Sequence, residues 1–292
     1  MFEDKVGISG VGDYGQEVSI SAPAVFGGIY KVEGQRRRLG KHFEAHPSGK
    51  KKRDLNDDYP AGIIGFSYSS LNSLGVKTVI DDIVSTKRVD NVFSICLRDV
   101  GGMLSIGGSG NWSIGQEIVY TPVIKEQFYN IEVTDVLVAG KSIGISSHTY
   151  TSGECIVDCG TPFATVPTAA WQSLKKSFLS LCSLTNLVGI CNVTSNATLF
   201  EQNCFNISQE QVSLFPNVTF VMRGMSGDTT EVSYSPQYYL KQQYFCGYGL
   251  KGLGFDKEDG FTIIGATMLQ MYTTVFDRKN SRIGFSKITN CA

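Results

Sequence analysis

The sequence predicts an all-β chain. Three observations carry that prediction: short β-branched and aromatic runs, turn residues recurring about every 8–12 positions, and an apolar unit ending in glycine that occurs twice. The runs lie at 15–22, 91–97, 101–108, 127–140, 154–158, 217–222, 230–235, 261–265 and 272–277, separated by Gly, Asn and Ser. Alternation through Tyr129-Asn130-Ile131-Glu132-Val133 predicts a half-buried strand, because successive side chains point to opposite faces. Two segments break the pattern. Residues 168–181 place Trp171, Leu174, Phe178 and Leu181 on one helical face, with Thr168 as the expected N-cap and Trp171 as core packing. Residues 74–87 form a weaker helix, with Val79, Ile83 and Val76 expected to face inward.

Composition bounds the rest. The chain has 292 residues, 42% hydrophobic and 18% charged, with 32 Gly and 8 Pro, which is globular rather than disordered or fibrous. No run of about 18 apolar residues occurs, so no membrane-spanning helix is expected. Twenty-six Lys and Arg against 27 Asp and Glu leave a formal charge of −1, which argues against a general nucleic-acid binder. That balance is uneven. Between Gly34 and Arg53 stand Arg36, Arg37, Arg38, Lys41, Lys50, Lys51, Lys52 and Arg53 against a single acid, Glu44. The window carries +7 and the remainder −8, so an acidic body bears one basic insert at 34–58. The insert has no periodicity and reads as a solvated loop, with proteolytic processing at its dibasic runs as the second reading.

Five N-x-[Ser/Thr] sequons, at Asn111, Asn192, Asn196, Asn206 and Asn217, exceed the roughly two that chance supplies among 13 Asn. Seven of the eight cysteines lie between Cys155 and Cys291. No Cys-x-x-Cys pair is present, and His42, His46 and His148 are too scattered for zinc-ligand spacing. Together these predict a secretory-pathway glycoprotein, extracellular or lysosomal/vacuolar, with disulfides. The first residues, MFEDKVGISG, do not read as a signal peptide.

The repeated unit is Ala61-Gly62-Ile63-Ile64-Gly65-Phe66 and Phe261-Thr262-Ile263-Ile264-Gly265-Ala266. The second copy follows Asp158-Cys159-Gly160, with 105 positions between Asp158 and Ile263. Equal halves would put a matching Asp-x-Gly ahead of Met1.

These elements resemble the pepsin-like aspartic proteases. Asp158-Cys159-Gly160-Thr161 resembles the second Asp-[Thr/Ser]-Gly-[Thr/Ser] loop of that family, and Ala61–Phe66 the hydrophobic-Gly element of its first lobe. Tyr272–Arg278 with Arg282–Phe285 is similar to the C-terminal signature, and Gly101–Gly108 with Tyr120–Val123 to the junction between lobes. The resemblance implies an all-β, bilobal pepsin-like fold with an incomplete N-terminal lobe. Residues 1–110 would form that partial lobe, and 111–292 the C-terminal lobe.

It also implies an aspartic endopeptidase acting on polypeptides, as a monomer, without metal or organic cofactor. Asp158 would be the catalytic carboxylate, with Cys159, Gly160 and Thr161 supporting its loop. Two carboxylates must share a proton in this chemistry, one accepting from water and one polarising the carbonyl. No Asp-[Thr/Ser]-Gly precedes Asp158, and only the trailing edge of a flap is expected, near Val6–Tyr14. The expectation is therefore an N-terminally truncated protease that is inactive as it stands. The alternative is a non-catalytic relative that binds peptides or proteins in its cleft. Position 159 departs from the pattern, since a thiol is a weaker hydrogen-bonding group than the hydroxyl it replaces. The resemblance pairs Cys204 with Cys246, and expects Cys182 with Cys191 and Cys155 with Cys291. That leaves Cys159 buried beside Asp158 and Cys96 free in its strand.

Overall fold

Strand runs read from the sequence are strands in a computed structural model of the chain, which describes residues 2–11, 17–26, 64–71, 76–98, 101–110, 117–193, 197–243, 245–288 and 291. They fall into two compact units, Met1–Arg88 and Val89–Ala292.

In the first unit, Phe2–Val11 and Glu17–Phe26 pair antiparallel, from Phe2 opposite Phe26 to Val11 opposite Glu17. The basic insert 34–58 lies outside the described residues, as do Asp13 and Tyr14 at the end of the expected flap edge. A helix spans Val79–Lys87. Its start is set by a capping box the sequence reading missed: Thr78 Oγ1 accepts from the Asp81 N–H, and the Asp81 carboxylate accepts from the Thr78 N–H at 3.1 Å. Its inward pair is Ile80 and Ile83, both fully buried, whereas Val76 and Val79 are half-buried. The capping box begins the helix at Val79, and the three-residue step from Ile80 to Ile83 sets the buried face.

The second unit holds three larger sheets. One has five strands in the order Gly102–Ile106, Val92–Leu97, Tyr272–Asp277, Arg282–Lys287 and Val119–Pro122. The expected lobe boundary at 110/111 falls inside this unit, because Val92–Leu97 and Gly102–Ile106 are laddered onto the C-terminal strands. A second sheet orders Phe255–Lys257, Ala164–Val166, Phe261–Gly265, Glu154–Asp158, Tyr129–Asn130 and Lys125–Glu126. The third orders Thr229–Tyr234, Val218–Arg223, Val133–Val138 and Lys141–Ser142.

The alternating run 129–133 is therefore two strands rather than one. Tyr129–Asn130 pairs beside Ile156. The Ile131 N–H then donates to the Cys155 carbonyl, while the Glu132 carbonyl accepts from Arg223 in the third sheet. The chain changes sheets between these two residues, and strict alternation fails just before, since Asn130 is buried along with Tyr129 and Ile131.

Aromatic side chains fill the core. Phe93 stacks on Phe276 at 4.6 Å, and Tyr129 meets Phe276 edge-on. Elsewhere Tyr234, Tyr239 and Phe255 form a mutual cluster, joined through Phe178 to Phe200 and Trp171. Each such buried side chain contributes about 1.5–3 kcal/mol through removal from water. The helix Thr168–Ser180 buries Ala170, Trp171, Leu174 and Phe178, so Trp171 is core as expected, while Leu181 lies past the helix end and is half-buried. Thr168 is not the N-cap. Pro167 holds that position, and Asp259 supplies the missing acceptor, its Oδ1 receiving the Thr168 N–H at 3.3 Å. Further short helices, such as Ser147–Thr151 and Ala266–Leu269, were not read from the sequence because four or five residues show no period.

Candidate active-site loop

Asp158 ends a strand held on both sides. Glu154–Asp158 runs parallel to Phe261–Gly265, with Ile156 opposite Ile263 and Asp158 opposite Gly265. After the loop, Ala164–Val166 returns antiparallel to the other side of Phe261–Gly265, with Thr165 opposite Ile263. The Asp158 loop therefore wraps the end of the strand that carries the repeated glycine.

The side chain is oriented from within the loop. The Gly160 N–H donates to Oδ1 at 2.8 Å, and the Thr161 hydroxyl donates to Oδ2 at 2.7 Å. One donor per oxygen fixes both the rotamer and the ring-like turn, and such charge-assisted bonds are the stronger kind. A Cβ at position 160 would stand 3.1 Å from Asp158 Oδ1, so glycine lets the backbone close on the carboxylate. Asp158 and Thr161 are half-buried.

A second tier holds the loop to the following helix. The Thr161 carbonyl accepts from the Ala266 N–H at 2.7 Å, and the Pro162 carbonyl accepts from both the N–H and the hydroxyl of Thr267. Tyr234 in turn donates to Thr267 Oγ1 at 2.5 Å. Burial holds the Tyr234 phenol far above its ordinary range, so it stays a donor at any working pH. Gly265 has no room for a side chain, since a Cβ there would strike the carbonyl oxygen of Phe163. Thr267 and Tyr234 escaped sequence reading. The hydroxyl two residues beyond Gly265 was the available signal, while Tyr234, on a different sheet, left none.

Cys159 is exposed, not buried as expected. It stands in the turn beyond the last ladder pair, Asp158 opposite Gly265, where no strand partner covers it. Contact with the surrounding protein pushes its thiol up from 9.0, and the Asp158 charge adds to that. Such a thiol is mostly protonated near neutrality and a poor nucleophile.

The disulfides are Cys182–Cys191, Cys204–Cys246 and Cys96–Cys291. The first two are as expected. The third corrects the expected Cys155–Cys291 bridge: Cys155 is a free, buried thiol inside the strand leading to Asp158, while Cys96 meets the C-terminal tail. Of the sequon residues, Asn192, Asn206 and Asn217 are exposed, and Asn111 and Asn196 lie outside the described residues. Of the first copy of the repeat only 64–66 is described; there Ile64 is 56% exposed and Gly65 has open space, whereas Ile264 is fully buried.

The Asp158-Cys159-Gly160-Thr161 loop is thus clamped against the strand that ends in Gly265. The eukaryotic aspartyl protease family matches residues 45–288, and the chain belongs to that family. It is 30% identical over 240 residues to cathepsin D of Clupea harengus, covering 78% of this chain and 54% of the relative. Cathepsin E of Aquarana catesbeiana is 26% identical over 245 residues, covering 81% and 54%. Gastricsin of Mus musculus is 26% identical over 232 residues, covering 77% and 53%. The chain spans about half the length of the curated relatives it matches.

Proposed function

We propose that this chain supplies one of the two catalytic aspartates, Asp158, of an aspartic endopeptidase that cleaves polypeptides at acid pH. The observation that carries the reading is the pair of donors on Asp158, Gly160 N–H on one oxygen and Thr161 Oγ1 on the other. Held so, the carboxylate can take a proton from an attacking water while a facing carboxyl group polarises the scissile carbonyl. The second group belongs to an Asp-[Thr/Ser]-Gly loop, and this sequence holds no such triplet. The 292-residue chain alone is therefore inactive, because one carboxyl group cannot serve as acid and base at once. Secretory-pathway residence and a monomeric state accompany the proposal.

The test is peptide hydrolysis at about pH 3–5, where a shared proton is available. The chain alone is expected to show none. Extension with upstream transcript sequence carrying an Asp-[Thr/Ser]-Gly restores hydrolysis, and Asp158→Asn abolishes it again. Hydrolysis that survives Asp158→Asn overturns the assignment of Asp158, and hydrolysis by the unextended chain overturns its inactivity.

A further inference from the structure

Three of the described asparagines outside sequons bond their amides within the protein, whereas Asn91 and the exposed Asn186 do not. Asn130 donates its amide to Glu154, Asn203 to the carbonyls of Thr198 and Glu201, and Asn280 to both oxygens of Asp277. Asn192, Asn206 and Asn217 present exposed amides that bond to no protein group among the described residues. Their backbones are nonetheless anchored. Asn192 follows the Cys182–Cys191 bridge in a left-handed conformation with φ 57°. Asn206 follows Phe205, whose backbone pairs both ways with Lys251. The Asn217 carbonyl accepts from the Ala139 N–H at 3.0 Å. Each position is a fixed backbone with its amide nitrogen in solvent, as a carbohydrate-bearing residue requires.

The hydroxyls of these sequons are a different matter. Ser208 Oγ caps a short helix by accepting from the Gln211 N–H. Thr219 Oγ1 is bonded to Ser233 Oγ at 2.8 Å, and the residue is 7% exposed. Thr219 also sits in Val218–Arg223, a strand laddered on one side to Val133–Val138 and on the other to Thr229–Tyr234. An enzyme that must hold both the Asn amide and the Thr hydroxyl cannot reach the second in the finished sheet. The closing strand Thr229–Tyr234 lies C-terminal to the sequon, so Asn217-Val218-Thr219 is synthesised before its hairpin can form.

We propose that Asn192, Asn206 and Asn217 carry N-linked oligosaccharides, and that Asn217 receives its glycan before the strand Val218–Arg223 enters its sheet. The donor class is a lipid-diphosphate-linked oligosaccharide. A bond forms between Asn Nδ2 and the anomeric carbon of the first sugar. The bond from that carbon to the diphosphate oxygen breaks, the lipid diphosphate leaves with the electron pair, and the amide gives up one proton to solvent. The proposal is independent of the catalytic reading.

The full chain, translated into eukaryotic microsomes behind a signal sequence, tests it in its protease-protected fraction. Enzymatic glycan release leaves Asp in place of each modified Asn, which peptide mass spectrometry reads directly. Asp is expected at 192, 206 and 217, and Asn217→Gln is expected to remove one glycan step from the ladder. Unmodified Asn at any of the three overturns the assignment there. In a second arm, glycan-free folded chain is offered to the purified transferase with its lipid-linked donor. No transfer to Asn217 is expected until the chain is reduced and denatured; equal transfer to folded and unfolded chain overturns the proposed order. Asp158→Asn leaves the glycan count unchanged, which separates a failure here from a failure of the protease reading.

Discussion

Gly265→Ala is the substitution whose cost the structure specifies most directly. The added Cβ would strike the Phe163 carbonyl oxygen, standing 2.6 Å from the Phe163 carbonyl carbon and 2.7 Å from the Thr161 carbonyl oxygen. All three are backbone atoms, so no side chain can swing aside. Relief requires the Asp158 loop to move off the strand, which stretches the bond from the Ala266 N–H to the Thr161 carbonyl. Overpacking costs about 1–3 kcal/mol and a lost hydrogen bond about 1 more, so the loss is about 2–4 kcal/mol. For a unit of this size that lowers Tm by about 4–16 °C. Thermal and urea unfolding followed by tryptophan fluorescence measure it, with Gly108→Ala as control, where a Cβ meets nothing within 4 Å. A Gly265→Ala protein that unfolds together with the control would refute the clamp.

Three further outcomes concern the same strand and loop. Thr161→Val removes the hydroxyl from Asp158 Oδ2 and is expected to cost about 1.5–3 kcal/mol, while Thr161→Ser restores most of it; urea midpoints of the two variants test this. Asp158→Asn removes a negative neighbour of Cys159, so iodoacetamide should modify Cys159 faster at pH 8 in the variant than in the parent, and an unchanged rate would contradict the coupling. Burial pushes the Cys155 thiol up to about 12 from the ordinary 9.0. The folded chain then keeps a proton that the unfolded chain releases, so this stabilisation is complete below pH 9 and is lost as pH rises toward 12. Cys155→Ala should flatten the alkaline fall in stability by about 1.4 kcal/mol per pH unit over that window.

Local signals carried most of the fold. Period-two alternation marked the strands, and the 3.6-residue stripe of Trp171, Leu174 and Phe178 marked the long helix, because each pattern is written within one element. The Asp158 loop was legible for the same reason: its turn, its glycine and its hydroxyl donor lie within four residues. What stayed hidden was set by partners distant in sequence. Asp259 completes the helix start at Thr168 from 91 residues away, so no local reading could find it. Cys291 bonds to Cys96 because Val92–Leu97 is laddered to Tyr272–Asp277, a pairing that spacing does not reveal. The run 129–133 crosses between sheets, and Asn130 is buried there with its amide on Glu154, so periodicity misplaced that residue and did not show what its neighbours pack against.

The bridge between Cys96 and Cys291 spans 195 positions and closes nearly the whole second unit into one covalent ring. A single peptide-bond cut at any surface turn between those residues cannot release a fragment. A nicked molecule would migrate as one species on a denaturing gel and separate into two only after reduction, so intactness of this protein is a property to be judged with thiol present.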